Sequence, residues 1–163
     1  MKYISLTQGK FAKVDDEDFL WLNKYKWHAS KYGQIYYAVR HPRGQNWKTL
    51  FMHRAIIEKH WGLFLVTKLC DHADGNGLNN VKTNLRLCDR SQNSANQQRQ
   101  FGLKTSRFKG VFWHKHIQKW VAKIQSQERM KWLGTYDNEV SAAKAYNREA
   151  QKVFGEFARL NMV

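Results

Sequence analysis

Proline and cysteine are scarce in this chain of 163 residues, which contains one proline and two cysteines. Cys70 and Cys88 stand apart with no CxxC pair, so a zinc site of four thiolates is excluded within one chain, whereas a disulfide stays open. Isolated cysteines of this kind are typical of small buried residues in a reduced, intracellular protein. The chain also lacks a run of about 20 apolar residues, a signal-peptide pattern and a lipidation motif, so we expect no membrane partner.

Acidic residues are also few, because 13 Asp and Glu stand against 28 Lys and Arg, which gives a formal net charge of +15 and a pI near 10.0. A charge of this size favours a polyanionic partner, and nucleic acid is the leading candidate. Basic residues outnumber acidic ones both before and after Gln98. The charge is therefore a property of the whole chain and not of a basic tail.

Hydrophobic patterning over the first hundred residues predicts an α+β arrangement. Short strands are expected in "KYISLT" and "KFAKVD" about Gln8, in "KWHAS" and in "IYYAVRH", with a helix in "DDEDFLWLNKY". The segment "NWKTLFMHRAIIEKHWG" begins like a strand and continues like a helix that ends at Gly62. Residues 65–100 then predict the order strand, loop, strand, helix, in "VTKLCDH", a Gly/Asn-rich loop, "NLRLCD" and the polar "SQNSANQQRQ", a helix that Ser91 is expected to cap.

The C-terminal third has a different pattern, which predicts a three-stranded antiparallel sheet backed by one helix. The strands are expected in "KGVFWHK", "KWVAKIQ" and "RMKWLGTY", and the amphipathic helix in "NEVSAAKAYNREAQKVFG", capped by Asn138. Alternation along the middle strand places Trp120, Ala122 and Ile124 on one face. The opposite face is expected to be free and to carry Lys119, Val121, Lys123 and Gln125.

The chemistry of the chain centres on Asp71 and His72 at the end of a predicted strand. A hard divalent cation such as Mg²⁺ needs few protein oxygens, because water and a substrate phosphate complete its shell. Asp71 can supply a carboxylate oxygen, and an Asn on the following helix can supply an amide oxygen. His72 points to the other side of the backbone and suits a general base, since imidazole titrates near neutral pH.

The segment "CDHADGNGLNNVKTNLRLCDRSQNSANQ" resembles the HNH nucleases, in particular phage and intron-encoded HNH homing endonucleases. The resemblance lies in Asp71-His72, in Asn84 of "TNLRL" and in Asn93 of "SQN", with the upstream "FMHR" and the N-terminal "KYISLTQGKFAKVDDEDF" also similar to phage members. It implies a ββα-metal core at about residues 50–100, within a first domain of residues 1–100 that opens with a small β-hairpin and helix region.

The HNH resemblance also implies roles for individual residues. Asp71 and Asn93 would hold one divalent metal ion per active site, Mg²⁺ or Mn²⁺, and His72 would deprotonate the attacking water. Asn84 would tie the loop together and orient His72 by hydrogen bonding. Asn rather than His at the third motif position shifts the expected metal toward hard cations and away from zinc.

The other polar residues of this segment have simpler interpretations. Asp74 belongs to the turn between the strands, and its neighbours are ordinary turn formers: Gly75, Asn76, Gly77, Asn79 and Asn80. His53 has two open interpretations, since it would lie near the phosphate or pack beside the strand.

Residues 108–163 resemble the apetala-type (ethylene-response-factor) DNA-binding domain in Gly110-Val111, "WVAKI", "WLGTY", "AAKAYNREA" and the terminal "LN". The resemblance implies that the sheet enters the DNA major groove, with Lys109, Phe112, His114, Lys123, Gln125 and Trp132 at the matching positions. Several groove arginines of plant members are replaced here by Phe, His, Gln and Met130, so we expect more phosphate binding than base readout. Trp113 and Trp120 are more simply core aromatics, and Trp132 has both interpretations open.

Residues 101–107 are interpreted as a linker, because the basic "QQRQFGLKTSRFKG" suits a segment running along a polyanion. Four further cations complete the candidate DNA-binding set. They are Lys119 of the predicted sheet and three residues of this basic segment: Arg99, Lys104 and Arg107.

The sequence thus predicts a homing-type HNH endonuclease that hydrolyses phosphodiester bonds of double-stranded DNA, as a monomer or homodimer, in the cytoplasm of a bacterial or phage-infected cell. One alternative is a DNA-binding regulator with an inactive nuclease core. Another is an RNA-binding or RNA-cutting protein. The positive charge would suit RNA equally well, but a sheet that reads the DNA major groove would then have no role.

Overall fold

The computed structural model describes residues 1–42, 49–62, 68–98, 105–126 and 129–163. The chain divides into two compact units, Met1–Asp89 and Arg90–Val163. Both units combine short antiparallel strands with helices, so the predicted α+β class is confirmed. Within the described ranges, no helix has the length and apolar character needed to cross a membrane.

The first unit contains seven strands and two helices within its described residues. In chain order they are β1 Lys2–Ser5, β2 Phe11–Val14, α1 Asp16–Leu22, β3 His28–Tyr32, β4 Ile35–Arg40, β5 Leu50–Phe51, α2 Met52–Trp61, β6 Leu69–His72 and β7 Leu85–Cys88. The strands form antiparallel sheets in the orders β1-β2, β3-β4-β5 and β6-β7. A 3₁₀ turn at Lys82–Asn84 leads into β7.

Helix α2 is held by the core of the first unit. Met52, Ile56 and Ile57 recur on one side of the helix and are at most 1% exposed. Burial of a side chain of this size stabilises the fold by roughly 1.5–3 kcal/mol, so the helix has little freedom to rotate. The helix ends at Gly62, whose φ of 76° is readily available to glycine, as the sequence predicts.

The second unit begins with α3 Arg90–Asn96 and continues with β8 Val111–His114, β9 Lys119–Ser126, β10 Arg129–Tyr136 and α4 Glu139–Phe154. The sheet order is β10-β9-β8, all antiparallel, and α4 packs on one face. Asn138 caps α4 as predicted, since its side chain accepts a hydrogen bond from the Ser141 amide at 2.8 Å. Helix α3 begins at Arg90, so Ser91 lies inside its first turn and is not the cap.

Two expectations for the C-terminal third change in the structure. The sequence predicts Val121 on the free face of β9, but the residue is fully buried; it lies in the middle strand, paired with Phe112 on one side and Thr135 on the other. The end of the expected linker is also folded. Ser106 donates to the Glu139 carboxylate at 2.6 Å, and the Arg107 amide donates to the same oxygen at 3.0 Å, so these residues are tied to the first turn of α4.

Candidate functional site

Strand β6 ends in two buried polar residues, Asp71 and His72, which are 7% and 4% exposed. Pairing with β7 sets Asp71 opposite Arg86 and His72 opposite Leu85. Because successive side chains of a strand point to opposite faces, the carboxylate and the imidazole leave the backbone in different directions. A carboxylate and an imidazole are therefore held at adjacent positions of a regular hairpin, on opposite faces.

The carboxylate of Asp71 is bound by Arg86 on the neighbouring strand. Nε and Nη2 of Arg86 both donate to Oδ2 of Asp71, at 3.1 and 2.9 Å. The side chain of Arg86 is 16% exposed and that of Asp71 is 9% exposed, so solvent screens this pair poorly. The guanidinium lies against the buried carboxylate and fixes its position by these two hydrogen bonds.

The imidazole of His72 is oriented by Asn80, which is fully buried. Nε2 of His72 lies 3.2 Å from Oδ1 of Asn80. With the proton on Nε2 donated to that oxygen, Nδ1 is the basic nitrogen of the ring. Burial lowers the pKa of His72, although the hydrogen bond to Asn80 and the carboxylates of Asp74 and Asp71 oppose the shift. The ring is therefore neutral near pH 7, the state that a general base requires.

His53 on α2 packs directly against His72. The two ring centroids are 5.0 Å apart and the planes meet at 87°, while Tyr37 lies 5.8 Å from both rings. Only 7% of His53 is exposed, and burial, with His72 and Arg54 nearby, lowers its pKa well below the usual value. Of the two interpretations left open by the sequence, packing beside the strand describes these contacts.

Asn84 closes the loop between β6 and β7. Its Nδ2 donates to Oδ1 of Asp74 at 3.0 Å and to the backbone oxygen of Asn79 at 2.8 Å, while its Oδ1 accepts from the Asp74 amide at 3.1 Å. These bonds tie the loop together, as its motif position implies. The hydrogen bond that orients His72, which was assigned to Asn84, comes instead from Asn80.

Asn93 lies half-buried on α3, in the second unit.

The side chain of Lys109, which was expected on the DNA-binding face of the sheet, instead reaches the C-terminal end of α3. Its ammonium donates to the backbone oxygens of Ser94, Ala95 and Gln97 at 3.0, 2.5 and 2.9 Å. All three N–H donors of the lysine are thus used on the C-terminal end of α3 and on the residue that follows it.

The donor chemistry of Asp71 and Asn93 suits a hard divalent cation, because both side chains offer oxygen ligands. Across the described parts of the chain, no group of three or more His, Cys, Asp and Glu side chains is arranged as a metal-ligand set. Mg²⁺ does not need such a group, since one or two protein oxygens suffice when water and substrate phosphate complete the shell. Asp71 and Asn93 each offer an oxygen of the kind that such an ion binds.

One face of the C-terminal sheet carries most of the candidate DNA-binding residues. Cross-strand pairing sets His114 opposite Lys119 and Trp132 opposite Lys123, and Nζ of Lys123 lies 5.0 Å from the centre of the Phe112 ring. The sheet face therefore brings together six side chains: Phe112, His114, Lys119, Lys123, Gln125 and Trp132. The ammonium of Lys119 also binds Asp137, an exposed pair of small energetic weight.

Some aromatic residues of this sheet are exposed and others pack on the core. Trp132 is 53% exposed, which rules out the core interpretation, whereas Trp120 packs on the core under α4. Trp113 lies edge-to-face against Trp120, with 5.2 Å between ring centroids. Arg107 is largely exposed and stacks over Phe108. Arg99 and Lys104 lie outside the residues that the structure describes.

Sequence reasoning missed three residues around His72 and Asp71. Arg86 could have been found from the hairpin register, since counting back from the loop sets it opposite Asp71. Asn80 reads as a turn residue, and nothing local distinguishes it from Asn79. Tyr37 belongs to β4, more than 30 residues upstream, and only the tertiary fold brings it to the imidazoles.

Two known proteins are similar to this chain. An uncharacterized HNH endonuclease of Acanthamoeba polyphaga mimivirus is 34% identical over 158 residues, which cover 96% of this chain and 77% of that protein. A dehydration-responsive element-binding protein of Arabidopsis thaliana is 46% identical over 46 residues, or 27% of this chain and 22% of that protein. No protein-family model and no solved structure matches.

Proposed function

The chain belongs to the HNH endonuclease family, and from this premise we propose that it is a metal-dependent endonuclease that hydrolyses phosphodiester bonds in double-stranded DNA. The observation that carries the proposal is the state of His72. It is buried next to Asp71 at the end of β6, its Nε2 is hydrogen-bonded to Asn80, and burial lowers its pKa, which favours the neutral ring that a general base needs.

In the proposed reaction, His72 takes a proton from a water molecule while the water oxygen forms a bond to phosphorus. The bond between phosphorus and the 3′ oxygen then breaks, and the leaving oxygen is protonated by solvent. General-base catalysis of this kind contributes about 10²–10⁴-fold to the rate. Asn80 holds the imidazole so that one ring nitrogen stays basic, and Asn84 keeps the loop that carries Asn80 closed.

Asp71 and Asn93 are the residues that would hold a single Mg²⁺ or Mn²⁺ ion. When bound, a divalent cation supplies Lewis-acid stabilisation of the charge that develops on the phosphate and its leaving oxygen. Arg86 pairs with the buried Asp71 carboxylate and holds it in position.

The C-terminal sheet is proposed to direct the nuclease to DNA. Its outer face presents Lys123 and the exposed Trp132 from adjacent strands, so a phosphate-binding cation and a large flat side chain lie next to each other. The likeness to a plant element-binding protein and the net charge of +15 support the same role. We propose a homing-type enzyme, in which contacts strung along the duplex give long and tolerant recognition.

The proposal is tested with supercoiled plasmid and either Mg²⁺ or Mn²⁺. We expect relaxed or linear product from the wild-type protein, none with EDTA, and a loss of at least about 10²-fold in rate for His72→Ala, the scale of a lost general base. His41→Ala, a change at an exposed histidine of the same unit, is the matched control. Wild-type rates in His72→Ala would defeat the mechanism, and tight binding without cleavage under either ion would instead indicate a DNA-binding regulator.

A further inference from the structure

Helix α3 is anchored within the second unit by one lysine. The ammonium of Lys109 binds the backbone oxygens of Ser94, Ala95 and Gln97. Two of these residues belong to the last turn of α3 and the third follows it directly, where carbonyls have no partner within the helix. A cation at this end also opposes the negative end of the helix dipole. Lys109 therefore caps the C-terminus of α3 with charge and with three hydrogen bonds.

The backbone of Lys109 is itself fixed, so the cap has a rigid base. Its amide donates to Oδ1 of Asn161 at 2.7 Å, and its carbonyl accepts from Nδ2 of Asn161 at 3.1 Å. Asn161 in turn exchanges two hydrogen bonds of 2.8 Å with the Asn147 side chain on α4. The lysine is thus held between the start of the sheet and the long helix.

A second set of contacts holds α3 at the same place. Ala95 is 5% exposed and belongs to a buried cluster with Ile124 of β9 and with residues of α4: Tyr146, Ala150 and Phe154. The Arg159 amide donates to the Ala95 carbonyl at 3.3 Å. Polar and apolar contacts therefore agree in attaching α3 to the C-terminal sheet and its helix.

Such anchoring matters because α3 has only seven residues. Isolated helices shorter than about 12–15 residues are marginal in water, so a helix of this length depends on tertiary contacts. Burial among these groups, with Arg159 nearby, lowers the pKa of Lys109 to about 8. The side chain is therefore still protonated near pH 7 and keeps all three donors.

Asn93 directly precedes Ser94, the first residue whose carbonyl Lys109 binds. We propose that Lys109 is a positioning residue, which fixes α3 and with it Asn93, so that the C-terminal unit supports cleavage chemistry as well as DNA binding. This inference rests on the proposed function, in which Asn93 is a metal ligand. It gives the C-terminal unit a second role, separate from affinity for DNA.

The test compares full-length Lys109→Met and Lys109→Arg with the control Lys131→Met, which removes an exposed lysine paired with Glu149 in the same unit. Hydrogen exchange without metal or DNA should show faster exchange of the α3 amides in Lys109→Met, with α4 still protected. Cleavage at saturating DNA should fall at least about tenfold and need more Mg²⁺, while the Kd for DNA stays within about threefold. Lys109→Arg keeps a cation and should recover most of the rate.

Several results would overturn the inference. Unchanged α3 exchange in Lys109→Met, or an unchanged cleavage rate, would overturn it while the wild-type protein cleaves normally. Equal losses in the Met and Arg variants with α4 protected would show that the charged cap is not the cause. Absence of cleavage by the wild-type protein would instead overturn the proposed function, and this inference with it. The expected pattern is a slow Met variant, a recovered Arg variant and an unaffected Lys131→Met control.

Discussion

The imidazole rings of His53 and His72 meet edge to face, with 5.0 Å between their centroids and 87° between their planes. One ring comes from a helix and the other from a strand, and both are largely buried. Burial lowers the pKa of each ring, because a charged imidazole is disfavoured away from water. The proposed base therefore has a packed neighbour that restricts the position of its ring.

This contact predicts a loss of stability in mild acid. The pKa of His53 is lower in the folded protein than in the unfolded chain, so below about pH 6.5 the unfolded chain binds more protons and the free energy of unfolding falls. His53→Phe keeps an aromatic ring in the contact and removes its titration. We expect the urea midpoint to fall between about pH 7 and pH 5 in the wild-type protein, and to fall less in the variant. The same decrease in both proteins would contradict this prediction.

Asn80 is predicted to matter for catalysis although it lies in a loop. Asn80→Ala removes the hydrogen bond to Nε2 of His72 and should cost about 1–3 kcal/mol of stability, because a buried imidazole nitrogen loses its partner. We expect cleavage at saturating DNA to drop about tenfold, since the ring is no longer held in one orientation. Asn76→Ala, at an exposed position of the same loop, is the control and should cleave at nearly the wild-type rate. Equal rates in the two variants would contradict the role of Asn80.

Arg86 is predicted to stabilise the protein chiefly when no metal is present. Arg86→Met removes the guanidinium from the buried Asp71 carboxylate and should destabilise the metal-free fold by about 3 kcal/mol. A bound divalent cation can replace part of the lost positive charge. Added Mg²⁺ should therefore raise the melting temperature of the variant more than that of the wild-type protein, measured by differential scanning fluorimetry. An equal rise in both would show that the metal does not reach this carboxylate.

Lys123 and Trp132 are predicted to contribute to DNA affinity in different ways. Lys123→Ala should weaken binding and reduce the slope of log K against log salt by about 1, as expected for one phosphate contact. Trp132→Ala should weaken binding with little change in that slope, because its contribution is not ionic. Lys131→Ala, which lies next to Trp132 but pairs with Glu149, serves as the control. Fluorescence anisotropy over a range of salt concentrations measures all three, and unchanged affinity in both test variants would exclude this face from binding.

Gly110 is predicted to be intolerant of any side chain. Its φ is 73°, and a Cβ there would come within 2.1 Å of the Tyr146 ring and 2.7 Å of the Lys123 carbonyl oxygen. Gly110→Ala should therefore cost more than about 1 kcal/mol, from the backbone conformation and the overlap together. Gly155 has a similar φ of 52° but open space around it, so Gly155→Ala isolates the backbone cost. Urea unfolding should show the larger loss for Gly110→Ala, and equal losses would remove the steric part of the explanation.

Most elements of both units could be predicted from the chain itself. Glycines after hydrophobic runs, a capping Asn138 and apolar residues at helical or alternating spacing are local signals, and they act over a few residues. The predictions for Ser91 and Val121 were wrong for reasons of context. A helix start can shift by one residue, and a residue of a middle strand can be buried on a face that alternation alone marks as open.

For the candidate site, too, some features could be predicted from the sequence and others depend on the tertiary structure. The sequence by itself determined the basic charge and marked Asp71 and His72 as candidates by their chemistry, and the resemblance to the HNH nucleases adds Asn84 and Asn93 to these candidates. The partners of these residues were decided by the tertiary structure. The buried Asn80, the paired Arg86 and the packed His53 depend on register and on distant elements, and Lys109 caps α3 only because the sheet brings it there. Side-chain hydrogen bonds and packing act between residues that the fold makes neighbours, so the sequence order alone does not reveal them.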